Sequence, residues 1–195
     1  MPRTPIFRLA LVCGALGVSA CSTMGMEPAA SASASSQVTV GGAPMYASRN
    51  IVQNAVNSRD HTTLVAAVTA AGLADTLSGA GPFTVFAPTN AAFAALPAGT
   101  VDTLLQPANR GMLQSVLTYH VVPGRLTAAA LMQRIRAGGG SAMLTTVQGG
   151  TLTARMMGGG IVLVDAKGGM ARVTQADVMQ SNGVIHVTNA VSLPG

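Results

Sequence analysis

Apolar positions along this chain fall into three regimes, and each predicts a different kind of structure. The first is a single apolar stretch, Ile6 to Ala20, interrupted only by Arg8. It is too short to cross a bilayer stably, where about 20 apolar residues are needed. The second regime has helical spacing. Leu64, Val65, Val68, Leu73 and Leu77 recur behind Thr62 or Thr63, either of which is placed to cap a helix. Gly81-Pro82 breaks that pattern, and a short β-rich run, Phe83 to Ala87, ends at Pro88. Three brief helices are expected next, capped by Thr89, Thr100 and Asn109. Their apolar faces are Phe93 and Leu96, then Val101, Leu104 and Leu105, then Met112, Leu113, Val116 and Leu117. A further helix is expected from Ala128 to about Ile135.

The third regime begins after Gly138 to Gly140. Strand-like runs follow at short intervals: Met143 to Val147, Thr151 to Arg155, Ile161 to Val164, Arg172 to Thr174 and Val184 to Thr188. Gly149-Gly150 and Asn182-Gly183 are turn signals between them. Helices grouped early and strands grouped late predict an α+β domain built on an antiparallel sheet or sandwich. No internal repeat is visible, so one module is expected and not a tandem array.

Composition changes the picture at the N-terminus. Arg3 and Arg8 precede the apolar run Leu9 to Val18, which closes on Val18-Ser19-Ala20-Cys21. This is the three-part form of a secretory signal. The tetrapeptide resembles a bacterial lipobox, which implies a signal peptide over 1–20 and lipidation at Cys21. Cys13 leaves with the leader, so the mature domain holds no thiol for a disulfide or a cysteine metal site. Several lipid chains hold a protein firmly to a membrane where one binds only marginally. Ser22 follows the cysteine, and the absence of an Asp there points by resemblance to the outer membrane or cell surface. From 21 to 44, Ala, Ser, Gly and Pro dominate without apolar periodicity, the composition of a flexible linker. The folded domain is then expected over 45–195.

Charge excludes one class of function. The chain carries a formal +5, and loss of Arg3 and Arg8 leaves nine basic residues against six acids, or +3. The basic residues are scattered, with only Arg134 and Arg136 close together. A nucleic-acid surface needs a denser basic stripe, often with aromatics. No nucleophile elbow, zinc-protease motif or phosphate loop occurs. The eleven methionines form no dense Met-x-x-Met array, so they read as core filler in a chain with 3% aromatics. No metal and no cofactor is expected.

Three segments carry a family resemblance. Phe83-Thr84-Val85-Phe86-Ala87-Pro88-Thr89-Asn90-Ala91-Ala92-Phe93 resembles the first signature of fasciclin (FAS1) domains. Leu117-Thr118-Tyr119-His120-Val121-Val122-Pro123-Gly124 resembles the family's tyrosine–histidine motif. Ser181 to Pro194, including Asn182, Gly183 and His186, resembles the closing signature. Thr188-Asn189 departs from the usual bacterial pattern, an apolar residue followed by Asp. With Leu144 to Gly150, the ordered set covers nearly everything from Ile51 to Pro194. The resemblance implies a single FAS1 domain of the bacterial secreted or lipoprotein type. Its expected fold is α+β, with a β-sandwich-like antiparallel core flanked by several short helices.

The resemblance also implies adhesion or extracellular binding and no enzymatic activity. The expected partner is an envelope or matrix protein or a polysaccharide, met by a monomer that touches the membrane only through its N-terminal lipid. A carrier of a small hydrophobic ligand is the alternative. The tyrosine–histidine motif is linked to adhesion in animal members, which makes Tyr119 and His120 the candidate partner contacts. The opposing expectation is that His120, at a helix-to-strand junction beside Val121 and Val122, is a hydrogen-bonded core residue. His186 is expected in the core because it lies mid-strand. His61, in a polar stretch, is expected to be solvated.

Overall fold

The computed structural model describes residues 38–195. The expected leader over 1–20, the lipidation candidate Cys21 and most of the expected linker lie outside the described residues. The last part of that linker, 38–44, belongs to a hairpin. Strand β1 (Val38–Val40) pairs antiparallel with β2 (Ala43–Met45) across Gly41 and Gly42, whose φ angles are 58° and 75°. Val40 and Met45 are buried in the core. The packed domain therefore starts by Val38 and not at Met45, because this short strand pair has apolar residues of its own to bury.

Seven short helices and seven further strands follow. They are α1 (Ile51–Ala55), α2 (Thr62–Ala71), α3 (Ala74–Ser78), β3 (Phe83–Pro88), α4 (Asn90–Ala94), α5 (Thr100–Leu105), α6 (Arg110–Tyr119), β4 (Val121–Pro123) and α7 (Ala128–Ala137). Then come β5 (Ser141–Thr145), β6 (Thr151–Met157), β7 (Gly160–Val164), β8 (Met170–Gln180) and β9 (Gly183–Thr188). Thr89 caps α4 as expected, accepting from Ala92 N–H at 3.3 Å. The other expected caps act differently. Thr62 and Thr63 lie inside α2, Gly99 precedes α5 with φ 80°, and the Asn109 side chain donates to Thr103 O. Met112, expected on the inner face of α6, is exposed, and the face closes instead on Leu113, Val116, Leu117 and Tyr119.

The strands form one seven-stranded sheet in the order β4-β3-β9-β8-β7-β6-β5. Its neighbours are antiparallel except β3 and β9, which run parallel from Phe83↔Gly183 to Pro88↔Thr188. The sheet is thus antiparallel as expected apart from this one parallel pair. Both strands are buried nearly throughout, the condition in which parallel pairing is usually found. Strand β8 bends: its first residues pair with β7 and its last with β9, with register shifts between Val173 and Val178. Bulges of this kind increase local twist and turn a sheet. The far edge thereby reaches the first, where Val147 N–H donates to Val121 O at 2.7 Å, and the sheet nearly closes on itself.

Alternation then divides the apolar side chains between two cores. Phe86, Tyr119, Leu144, Leu152 and Leu163 fill the curved sheet, stoppered by Leu131 and Ile135 of α7. Val85, Ile185 and Val187 face the other way, against Leu64, Val68, Phe93 and Leu117 of the helical layer.

Candidate functional site

Helix α6 hands over to β4 at the tyrosine–histidine pair, and both side chains turn inward. The Tyr119 ring is buried in the sheet core, and its hydroxyl donates to Thr151 O at 2.7 Å while accepting from Ala166 N–H at 3.1 Å. Burial pushes its pKa upward. His120 lies 2.7 Å from Val116 O through Nδ1, and its Nε2 is 2.9 Å from the backbone N of Ser192. An N–H can only donate, so Nε2 is the bare acceptor and the proton sits on Nδ1. The ring is neutral with both nitrogens engaged, and burial holds its pKa below the ordinary histidine value. Neither expected contact residue thus offers a polar atom to solvent. The pair ties the end of α6 to the β5–β6 and β7–β8 turns and to the C-terminal segment.

The first and closing signatures meet each other along the β3–β9 seam. Phe83 opens that seam, its N–H donating to Asn182 O at 3.0 Å. Thr84 is buried, donating to Gly124 O at 2.7 Å and accepting from Leu126 N–H at 2.8 Å. Phe86 stacks on His186 with ring centroids 5.6 Å apart. Nε2 of His186 donates to Leu126 O at 2.7 Å, and its Nδ1 accepts from Asp177 N–H at 3.3 Å. His186 is therefore neutral as well, and burial lowers its pKa.

Pro88 is buried where β3 ends, and Phe93 of α4 is buried in the helical core. Asn90 accepts from Thr63 N–H at 3.0 Å and donates to Arg59 O and Thr62 Oγ1, so α2 is capped from outside its own sequence. Asn182 accepts from Ile51 N–H at 3.0 Å and donates to Leu77 O at 2.8 Å and Gly79 O at 3.0 Å, joining the start of α1 and the end of α3 to the β8–β9 turn. A Cβ on Gly183 would lie 2.0 Å from Phe83 O, so only glycine allows the two chains to approach. At the departure from the family pattern, Asn189 Oδ1 accepts from Arg172 N–H at 2.8 Å, a role its amide fills without an Asp.

Other internal polar groups were not legible in the chain. His61, expected to be solvated, is buried. Its Nδ1 is 2.8 Å from Ser58 Oγ, its Nε2 has no hydrogen-bond partner, and burial lowers its pKa. Asn54 donates to Gln180 Oε1 and to Tyr46 O and accepts from Tyr46 N–H, a buried amide network that no local pattern announces. Asp165 accepts from the N–H groups of Lys167, Gly169 and Leu193. Here a signal existed, since Asp165-Ala166-Lys167-Gly168-Gly169 is the pattern of a turn stabilised by its Asp side chain. The methionines also correct the core-filler expectation: Met112, Met143, Met156, Met157, Met170 and Met179 are all exposed.

Concave space is limited. A cavity of about 60 Å³ lies between helices and sheet, lined by Val52, Leu64, Val68, Leu77, Val85 and Leu117 among others. Ligand pockets generally begin at roughly 300 Å³. An open groove of about 520 Å³ runs beside α5 and α6, with Met112, Lys167 and Leu193 in its walls. Among the described residues, no group of three His, Cys, Asp or Glu is placed to hold a metal, and no helix is long and apolar enough to cross a membrane.

A family model described as the fasciclin domain matches residues 59–194. The chain belongs to the fasciclin domain family. It is similar to Protein sll1483 of Synechocystis sp., at 49% identity over 144 residues, covering 74% of this chain and 73% of that one. The immunogenic protein MPB70 of Mycobacterium bovis is 36% identical over 145 residues, 72% of this chain and 66% of that protein. The transforming growth factor-beta-induced protein ig-h3 of Sus scrofa is 38% identical over 131 residues, 67% of this chain but 17% of its own length. Among solved structures, a FAS1 domain pair from the insect cell adhesion molecule fasciclin I superposes with a TM-score of 0.66. The match has 17% sequence identity and covers 73% of this chain and 50% of that one. The fold is accordingly the FAS1 fold, with mixed helices and one nearly closed sheet. Fasciclin domains act generally in cell adhesion and extracellular interactions, and the family is non-enzymatic in type.

Proposed function

We propose that this protein is an exported, lipid-anchored module of the cell envelope that recognises a protein or polysaccharide partner in adhesion or surface organisation. The observation that carries the reading is family membership over most of the folded chain. Similarity to an insect cell adhesion molecule and, over 59 residues at 52% identity, to the cell surface glycolipoprotein MPB83 of Mycobacterium bovis adds support for a surface location. Tyr119 and His120 spend their polar atoms on internal bonds, so recognition falls to the outer surface of the domain.

The test is retention of envelope proteins and glycans on the immobilised full chain. A saturable partner displaced by free protein supports the reading; no saturable retention sinks it. Anchoring is tested separately. Cys21→Ser should leave the domain folded and release it from membrane fractions, and continued sedimentation with membranes would refute lipidation. A carrier of a small apolar compound is the second reading, and the helix–sheet cavity is the observation behind it. It requires the cavity to open well beyond 60 Å³, and a compound retained through purification would favour it.

A further inference from the structure

The four-strand half of the sheet has an outer face that no other described element uses as its core. Pairing registers place Met143, Thr153, Val164 and Met170 in one row across β5, β6, β7 and β8. The adjacent row is Ser141, Arg155, Val162 and Arg172. Met143 is 78% exposed and Met170 60%, and Met157 on the same face of β6 is 47% exposed. Large apolar side chains grouped in this way are unusual on a free surface and mark interaction sites.

The arginines give the face its charge. Arg155 and Arg172 flank Val162 from either side, two strands and roughly 10 Å apart. Val162 points outward and belongs to neither interior core, yet it is only 6% exposed. Arginine stems can cover a neighbouring apolar side chain while keeping their charged heads in water. The Arg172 head is also fixed, donating to Gly158 O in the β6–β7 turn at 2.9 Å. No acid occurs in β5, β6, β7 or in β8 before Asp177. The two nearest in sequence are engaged elsewhere: Asp165 by three backbone N–H groups and Asp177 by Ala128 N–H.

We propose that the outer face of β5–β8 is a docking face whose occupant is an acidic, partly apolar surface of another protein. The proposal rests on the binding-module reading and names the surface and partner class for it. Two arginines with no acidic partner among the described residues call for an anionic counterpart. Methionine and arginine are enriched at protein interfaces while Lys, Glu and Asp are depleted, and this face has that composition. The two outward rows carry no aromatic ring and no Asn or Gln, which disfavours a sugar chain as the occupant.

The experiment uses the full chain, isotope-labelled, with short peptides in which Glu and Leu alternate and matched peptides of Lys and Leu. Polygalacturonate and phosphatidylglycerol vesicles serve as the competing probes. The Glu–Leu peptide should bind, weaken with added salt, and shift amide resonances in β5–β8. Arg155→Glu should weaken it about tenfold. Since Arg172 has a structural bond, the second variant is Met143→Ser, which should weaken binding with an unchanged melting temperature. Equal binding of the Lys–Leu peptide, preference for the polyuronate or the vesicles, or shifts confined to another face would each overturn the proposal. If the full chain retains an envelope partner and Arg155→Glu/Met143→Ser retains it equally, the face is wrong and the binding-module reading stands. If the unmodified chain retains nothing, the reading falls and the docking face with it.

Discussion

Moderate acid probes the histidine tautomers directly. His120 and His186 each accept a backbone N–H on one ring nitrogen and donate to a carbonyl with the other, so a second proton would set two N–H groups against each other. His61 is buried with one nitrogen unpartnered. For all three, burial is the largest cause of a pKa below the ordinary value, with a smaller opposing contribution from a nearby Asp, and for His120 and His186 from a backbone carbonyl as well. The folded pKa values lie below the unfolded value of about 6.5, so in acid the unfolded chain binds more protons. The resulting stability is fully present above about pH 6.5 and is lost as pH falls from there towards the folded values. Each histidine contributes up to about 1.4 kcal/mol per pH unit within that window, and three together up to about 4. Against a typical domain stability of about 5–15 kcal/mol, one pH unit is a large perturbation. The interval from about 6.5 to 5 is where the unfolded chain's histidines take up their protons. Urea unfolding at closely spaced pH values should show the loss there, and His186→Gln should lower the slope by up to about 1.4 kcal/mol per pH unit. A flat stability across that interval would refute the assignment of neutral, enclosed rings.

Three further outcomes follow from the seams. Asn182→Ala removes three long-range hydrogen bonds and should cost about 2–4 kcal/mol in chemical denaturation; a change below about 0.5 kcal/mol would mean they are not holding the helices. Gly183→Ala places a Cβ against Phe83 backbone that cannot yield without parting β3 from β9. It should cost about 3 kcal/mol or fail to fold, and a wild-type melting temperature would show the approach to be looser. Tyr119→Phe deletes the bonds to Thr151 O and Ala166 N–H and should destabilise by about 1–3 kcal/mol without altering partner retention. Lost retention at unchanged stability would restore Tyr119 as a contact.

What the chain determined by itself is its local structure. Thr89 next to a helical run, Gly149-Gly150 between alternating segments and the β-rich run at 184–188 each encode an element through contacts only a few residues long. The ordered signatures extended this to the family and hence the fold. The hairpin at 38–45 and the helix at 51–55 are not legible in apolar pattern alone, since each is short and draws its burial from distant residues. Only tertiary structure decided the rest. Asn90 and Asn182 look like local turn residues, yet their partners lie 27–31 and about 100 or more positions away. Tyr119 and His120 read equally well as surface contacts or core residues until the sheet closed around α6 and brought Thr151, Ala166 and Ser192 to their polar atoms. The outer face of β5–β8 exists only through register, because alternation says that Met143, Arg155 and Arg172 share sides of their own strands but not that the strands align them. Periodicity carries which way a side chain points; which other side chain it meets depends on closing the chain over long separations, and no short window holds that information.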